Sequence, residues 1–319
     1  MAEGLQGVQM SGSARREELV RAAQVAREAE VRQSANGVRF ATFGETGVPG
    51  TDLDRMLEAV PPAIGAALGA NTYYFVPLAL RESVEPAEPG EAEGFAKRAS
   101  QSPDHAMVAR AWSDELGESA ICHRNVELDS GHRGVFISTR LMGDRFALSF
   151  EFFINVAHAF VDSAGVPEKF SEMVWQQALD GVRGETSLDA WESRNLAFGR
   201  EPNAQVEETR PRRSQSYVAK ARPFSTNQSG EPVVAPQTID EKERGLYLES
   251  AFSDAVAIYL LSLALDFDYS ELREREYPLL APAALAARLN MVAEMFPPNP
   301  GYQFSVRYRR RAYRTARQT

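Results

Sequence analysis

The sequence predicts an α+β fold that is mostly helical, with one small mixed sheet. Three observations support this prediction. Residues 146–161 are apolar nearly all round a helix, which is typical of a helix inside a core. Short runs rich in aromatic and β-branched residues, which favour strands, cluster in the first half of the chain. Two further helical patterns, at 242–265 and 281–296, occupy the second half.

The first elements are predicted as two helices and a strand. Residues 14–33 are rich in Ala, Glu and Arg, and Ser13 is a suitable N-cap for a helix there. A second helix begins at Thr51, because apolar side chains recur on one face: Leu53, Met56, Leu57 and Val60. The run "NTYYFVPLAL" at 71–80 then predicts a buried strand.

The middle of the chain predicts a loop, a strand pair and a long insertion. Residues 83–104 are acidic and rich in Pro and Gly, which indicates a surface loop. Residues 119–142 predict two strands joined by the turn "DSGHRG". From 186 to 240 the sequence is polar and nearly aperiodic, which favours an extended, irregular insertion. The predicted organisation is therefore an N-terminal helix and arm (1–50), a main domain with its insertion (51–300) and a basic tail (301–319).

Composition limits the classes of function. The 319 residues are 44% apolar and 25% charged, with a net charge of −9, so no overall field attracts nucleic acid or an anionic membrane. Cys122 is the only cysteine, which excludes an intramolecular disulfide and a cysteine-based zinc site. No signal-peptide pattern and no run of about 18 apolar residues occurs. We therefore expect a cytoplasmic or otherwise intracellular protein, or a component of a particle, that does not enter a membrane.

Two motifs resemble those of the zincin metallopeptidases. "VAHAFVD", which contains His158 and Asp162, is similar to the end of the family's active helix, HExxHxxxD. "FSDAVAIYLL", which begins at Phe252, is similar to the pattern FAEAFAxYL in the second helix of lethal-factor-like zincins. The resemblance implies a zincin-like domain in which "GVFISTRLM" is an edge strand along the substrate cleft and the later helix donates the third zinc ligand.

The zinc chemistry of that family depends on residues that this sequence replaces. Two histidines four residues apart reach one zinc ion, and a glutamate activates the bound water. In this alignment Ile154 stands for the first histidine, Asn155 for the glutamate and Ser250 for the third ligand. Glu249 misses the ligand position by one residue, or about 100° around a helix. The resemblance therefore implies no catalytic residue, no cofactor and a degenerate metal site, comprising His158, Asp162, Glu249 and Asp254.

Each of these residues also has an ordinary structural interpretation. A histidine on an apolar helix is commonly a core residue bonded to a neighbour, and Asp162 lies at the right spacing to pair with His158. Glu249 and Asp254 suit the start of a helix. His123 and His132, which flank the predicted strand pair, suit a solvated turn. A zinc set of His158, Glu249 and one of these two histidines stays open as the alternative.

The C-terminus is strongly basic. Arginines alternate with tyrosines there, a pattern that suits phosphate contacts and base stacking in RNA or DNA. The residues are Arg307, Tyr308, Arg309, Arg310, Arg311, Tyr313, Arg314 and Arg317. A smaller basic cluster in the insertion comprises Arg210, Arg212 and Arg213. The alternative is a solvated tail, or one that pairs with the acidic body of another copy.

Two functions follow from these features. The first is a non-catalytic, zincin-like scaffold that acts as a structural, coat-like, self-assembling or interaction protein, forms a homo-oligomer and contacts nucleic acid through its tail. The second is an atypical zinc metallopeptidase with a non-standard ligand set. The metal content of the purified protein distinguishes them.

Overall fold

The protein is described by a computed structural model that covers residues 19–81, 106–128, 131–200, 239–272 and 277–308. The chain divides into two compact units. The first unit comprises residues up to Ala164 together with Val256–Asp266 and Ala293–Ser305. The second comprises Gly165–Ala255, Phe267–Val292 and the residues from Val306 onward.

Helices and strands are both well represented, so the predicted α+β class is confirmed. The strands are β1 Leu19–Arg21, β2 Arg32–Gln33, β3 Arg39–Thr42, β4 Asn71–Val76, β5 Leu78–Leu80, β6 Met107–Ala109, β7 Ala120–Ile121, β8 His123–Glu127 and β9 Arg133–Ser138. The helices are α1 Ala22–Glu28, α2 Gly50–Glu58, α3 Pro62–Ala67, α4 Asp114–Gly117, α5 Arg145–Ala164, α6 Glu168–Leu179, α7 Leu188–Ala197, α8 Glu241–Ala264 and α9 Pro282–Met295.

A five-stranded mixed sheet forms the centre of the first unit, in the order β2-β3-β4-β9-β8. Strands β3, β4 and β9 are parallel, and the edge strands β2 and β8 are antiparallel to their neighbours. The predicted strand pair around "DSGHRG" is therefore confirmed as β8 and β9. The expectation that "GVFISTRLM" forms an edge strand is wrong, because β9 pairs on both sides and β8 occupies the edge.

A second sheet, in the order β1-β6-β5-β7, accounts for two departures from the sequence prediction. Residues 14–33 were expected to be helical, but Leu19–Arg21 pairs with Met107–Ala109 as a strand and the helix spans only Ala22–Glu28. The predicted strand at 71–80 breaks at Pro77, which has no N–H to donate to a ladder. Its second half joins the second sheet as β5.

Strand β4 is buried throughout because both of its faces are covered. Tyr73 and Phe75 contact Phe152 of α5, with ring centroids 5.2 Å and 5.7 Å apart. On the opposite face Tyr74 stacks on Phe136 of β9 and joins an apolar cluster that includes residues of β1, α1 and β6. Successive strand residues point to opposite faces, so a continuous apolar run is the expected pattern here.

Helix α5 is the central helix that the sequence predicted. Phe152, Phe153, Val156, Ala157 and Phe160 are all buried. The ring of Phe160 meets that of Phe296 edge-on at 5.2 Å, so α5 also packs on the C-terminal part of the first unit. The prediction of a helix in the core is therefore confirmed for these five residues, whereas His158 on the same helix is exposed.

The second unit is built from helices α6 and α7 and from most of α8 and α9. Trp175 of α6 stacks on Phe198 at 5.2 Å, and Phe170 packs on Phe252 of α8 at 4.7 Å. The prediction of irregular structure from 186 to 240 is wrong at Leu188–Ala197, where α7 begins at its N-cap, Ser187. Residues 201–238 lie outside the described part of the chain.

Within the described residues one helix, α8, is long and apolar enough to cross a membrane by length and composition. Its mean hydropathy over an 18-residue window is 1.3. However, 78% of that window is buried inside the protein.

Candidate functional site

Two of the four residues of the predicted metal site, His158 and Asp162, lie on helix α5. The helix begins after Asp144, whose side-chain Oδ1 accepts a hydrogen bond from the backbone N–H of Ala147 at 2.8 Å. Opposite its buried aromatic face, Glu151 and Ile154 are half-buried and His158 is exposed. These residues share a face because they are three and four positions apart along the helix. The predicted active-helix residues are therefore accessible, unlike the core histidine of the ordinary interpretation.

Asn155, which the zincin resemblance aligns with the general base, makes local hydrogen bonds within α5. Its side chain is buried, and Nδ2 donates to the backbone oxygen of Glu151 at 2.8 Å and to Glu151 Oε1 at 3.2 Å. An amide cannot accept a proton near neutral pH. The residue therefore braces the turn of helix before it and fixes the Glu151 carboxylate.

The edge strand β8 is fastened to α5 at the same place. His123 Nδ1 contacts Glu151 Oε1, and the His123 side chain is 37% exposed against 16% for Glu151. The structure thus brings together His123, Glu151 and Asn155, a group that the sequence analysis did not assemble. We name this group the β8–α5 clasp. Its members are hydrogen-bonded to one another, which is the arrangement expected of a positioning contact.

Cys122 precedes His123 and is exposed. Partial burial and the nearby Glu151 carboxylate raise the pKa of the Cys122 thiol. Because the thiolate is the nucleophilic form, a raised pKa makes this cysteine less reactive than a free one. The clasp therefore lacks an activated nucleophile.

The four residues of the degenerate metal site have different surroundings. Asp162 forms an exposed ion pair with Arg133 at 3.0 Å. Asp162 and His158 both belong to the first unit. Glu249 is exposed on α8 in the second unit. Asp254, also in the second unit, is buried, and its Oδ2 accepts a hydrogen bond from Thr186 Oγ1 at 2.7 Å.

A zinc ion does not fit the residues that the zincin resemblance aligns with the metal site. Ile154, aligned with the first histidine, has no donor atom. Asn155, aligned with the general base, uses its amide in hydrogen bonds to Glu151. Within the described ranges, no group of three or more His, Cys, Asp or Glu side chains is arranged to hold a metal ion.

A buried polar cluster that no sequence motif indicated lies in the second unit. Glu185 is fully buried, and Arg288, also fully buried, donates to it through Nη1 at 2.9 Å. Arg194 Nη1 and the Tyr247 hydroxyl donate to Glu185 Oε1 at 2.9 Å and 2.8 Å. Gln177 Oε1 accepts from Arg288 Nε at 2.8 Å. We name these five residues the Glu185 cluster.

The backbone around Glu185 is held as firmly as its side chain. Gly184 has a φ of +80°, and a Cβ there would lie 2.0 Å from the carbonyl oxygen of Leu279, so only glycine fits. Glu185 N–H donates to Pro278 O at 3.0 Å, and Leu280 N–H donates to Glu185 O at 2.9 Å. A single arginine in the apolar helix 281–296 was the only sequence signal of this cluster.

Of the arginines and tyrosines predicted to form the basic tail's binding surface, only Arg307 and Tyr308 are described, and both belong to the second unit. The Tyr308 ring stacks on Tyr269 with centroids 5.2 Å apart, and its hydroxyl donates to Leu280 O at 3.3 Å. The backbone oxygen of Arg307 accepts from Tyr269 N–H at 2.8 Å, and the Arg307 side chain is exposed. The remaining predicted tail and insertion residues lie outside the described ranges: Arg309, Arg310, Arg311, Tyr313, Arg314, Arg317, Arg210, Arg212 and Arg213.

No family model matches this chain, and no curated protein or solved structure matches it. Support for a function therefore comes from the residues and contacts described above.

Proposed function

We propose that this chain is a non-catalytic protein on a zincin-like scaffold that acts through binding or self-assembly. The observation that carries the proposal is the hydrogen bonding of Asn155. In the alignment this residue takes the place of the water-activating glutamate. Its amide instead donates hydrogen bonds to Glu151 of the same helix. A protein that keeps the helix but uses this position as a brace has no general base there.

The order of elements supports the zincin-like part of the proposal. A helix, α2, and a mixed sheet precede the helix that carries "VAHAFVD", and α8 follows with "FSDAVAIYLL". The antiparallel edge position belongs to β8, the strand that the clasp ties to α5. The face with Ile154 and His158 lies on the accessible side of the helix, where the family places its ligands.

Metal content and peptidase activity test the non-catalytic part. We expect substoichiometric zinc in protein purified without chelator, and no cleavage of a denatured protein substrate with or without added Zn²⁺. About one zinc per chain, lost together with peptidase activity in His158→Ala, would instead establish the atypical metallopeptidase.

Replacement of the missing ligand tests the scaffold. Ile154→His places an imidazole four residues before His158, on the accessible face of α5. Glu168→His with Glu172→His on α6 is the matched control, because it creates the same spacing on an exposed helix face. If further ligands or a cleft surround His158, zinc should bind the Ile154→His variant at least about tenfold more tightly than the control. Equal affinities would contradict the zincin-like proposal.

Self-association tests the assembly part. The chain has a net charge of −9 and a tail of alternating arginines and tyrosines, so one copy's tail is complementary in charge to another copy's body. We expect the molar mass in solution, measured by light scattering, to exceed that of one chain at low salt. Deletion of residues 309–319 should reduce it. A monomer at every salt concentration would contradict this part of the proposal.

A further inference from the structure

The first unit contains a pocket of about 400 Å³ that is separate from the β8–α5 clasp residues. It lies between the loop 46–49, the start of α2 and the segment from Thr139 to Ser149. This volume is within the range of pockets that hold small ligands or single side chains. Trp112 lines it, and its side chain is the only aromatic one among the exposed large apolar residues in the described part of the chain.

The pocket is preformed rather than open by chance. Thr139 Oγ1 donates to Thr46 O at 2.8 Å, which ties the loop to the residue after β9. Glu45 N–H donates to Arg110 O at 2.8 Å, next to Gly44. Trp112 is held as well, since its Nε1 donates to Asp114 Oδ1 at 3.2 Å. Because these walls are already fixed, less conformational entropy of the protein is lost when a ligand binds.

Among the described residues, the two arginines that line the pocket differ in their pairing. Arg145 pairs with Asp52 at 3.2 Å, and the Asp144 carboxylate caps the first turn of α5. Arg140, by contrast, makes no ion pair with any described residue. Its guanidinium lies against Gly47, where a Cβ would be 2.3 Å from Nη1, and Gly47 has a φ of +68°. A residue with a side chain there would displace this arginine.

The remaining lining is mainly apolar and includes Pro49, Met56, Met142 and Leu148. We propose that the pocket binds an apolar group that carries one carboxylate, with the carboxylate on Arg140 and the apolar part against Trp112 and the methionines. Arginine suits this role because its planar guanidinium matches a carboxylate in two-point geometry. The source is either a small acid or the C-terminal residue of a peptide. This inference does not depend on the zincin-like scaffold.

The test uses N-acetyl derivatives of phenylalanine, leucine and methionine, each as the free acid and as the amide. Binding is followed by tryptophan fluorescence, to which Trp112 contributes as the exposed tryptophan while Trp175 and Trp191 are buried. We expect the acids to bind at least about fivefold more tightly than the amides, as for one partly exposed ion pair. If none of the acids binds saturably at concentrations up to about 10 mM, the proposal is overturned.

Variants assign the carboxylate to Arg140. Arg140→Gln should weaken binding of the acids about fivefold and leave the affinity of the amides unchanged. Arg140→Lys should retain part of the preference for acids over amides. Arg55→Gln is the matched control, because Arg55 is exposed on α2 and does not line the pocket. Equal losses in the Arg55 and Arg140 variants would overturn the assignment. A hexapeptide that ends in the same residue should bind more tightly than its N-acetyl counterpart if the ligand is a peptide terminus, and equally if it is a small acid.

Discussion

The β8–α5 clasp and the Glu185 cluster are both groups of polar side chains that join distant parts of the sequence, but they differ in their exposure to water. The clasp is partly solvated and rests on contacts between His123, Glu151 and Asn155. Glu185 is fully buried and is held by two arginines and a tyrosine. Removing an arginine from the Glu185 cluster leaves a charge unpaired in the protein interior. Removing a member of the clasp leaves its partner in contact with water. The comparison indicates that the second unit depends on its polar cluster for stability far more than the first depends on its clasp.

The largest expected effect comes from removal of one cation from the Glu185 cluster. Arg288→Met keeps much of the side-chain volume but leaves Glu185 with one arginine, so the free energy of unfolding should fall by about 3–5 kcal/mol. Urea unfolding followed through Trp175 and Trp191, which both belong to the second unit, measures it.

Arg133→Met is the control for that measurement. It breaks the Arg133–Asp162 pair, whose side chains are 43% and 63% exposed, and should cost at most about 1 kcal/mol. Similar losses in the two variants would contradict the difference drawn between buried and exposed pairs.

The next effect concerns pH and Asp254, which is buried near the same cluster. Burial, partly offset by hydrogen bonds from Ser187 and Thr186, raises the pKa of Asp254 from 3.8 to about 6. A carboxyl that is more basic in the folded state stabilises the fold below about pH 4, and this contribution is lost as the pH rises through 6. Asp254→Asn should therefore stabilise the second unit at pH 7.5 by roughly 1–3 kcal/mol and change it little at pH 4.

Glu249→Gln, on the exposed side of the same helix, is the matched control for Asp254→Asn. The pH dependence of unfolding of this variant should follow that of the wild type. If Asp254→Asn destabilises the protein equally at both pH values, the carboxylate is ionised and stabilising in the fold, and the expected sign is reversed.

Local patterns were sufficient for the elements with the most continuous apolar sequence. The aromatic run around Phe152 predicted α5, and the alternation of Tyr73 and Tyr74 between two covered faces appears in the sequence as a continuous apolar run. Pairings over long distances were not visible. Leu19–Arg21 is a strand because Met107–Ala109 lies beside it, although its local composition favours a helix. The polar helix α7 was missed because its burial depends on partners elsewhere in the chain.

The site was predictable only in part, and for the same reason. Helical spacing placed Ile154 and His158 on one face of α5, but the interpretation of His158 as a core histidine was wrong, because its side chain is exposed. Helical spacing could not show that Glu151 meets His123 of β8, because that contact depends on which strand forms the sheet edge. Glu185 and Arg288 are 103 residues apart, and neither stands in a recognisable motif. A lone arginine in an apolar helix is a usable signal of such a buried pair, since an unpaired cation would not be tolerated there.

Loss of the brace in the clasp should have a smaller effect than either change in the second unit. Asn155→Ala removes the hydrogen bonds to Glu151 O and Oε1, and the free energy of unfolding of the first unit should fall by about 1–2 kcal/mol. Hydrogen exchange at the amides of α5 measures this locally. The exposed Asn290 provides the control, because Asn290→Ala should be close to neutral. A change in zinc content in Asn155→Ala, with no change in stability, would contradict the bracing role.

The smallest expected effect is at the start of the tail. Tyr308→Leu removes the stacking on Tyr269 and the hydrogen bond to Leu280 O, and should lower the stability of the second unit by about 0.5–1.5 kcal/mol. Deletion of residues 309–319 leaves these contacts intact, so we expect no loss of stability in that variant. Because one face of the Tyr308 ring is already covered, this residue is a poorer platform for a nucleic-acid base than the sequence pattern suggested, and Tyr313 is the better candidate. Binding of single-stranded RNA at near-physiological salt distinguishes the two tyrosines. If Tyr308→Leu weakens RNA binding and leaves stability unchanged, the ring is free to stack on bases and its docking on Tyr269 is contradicted.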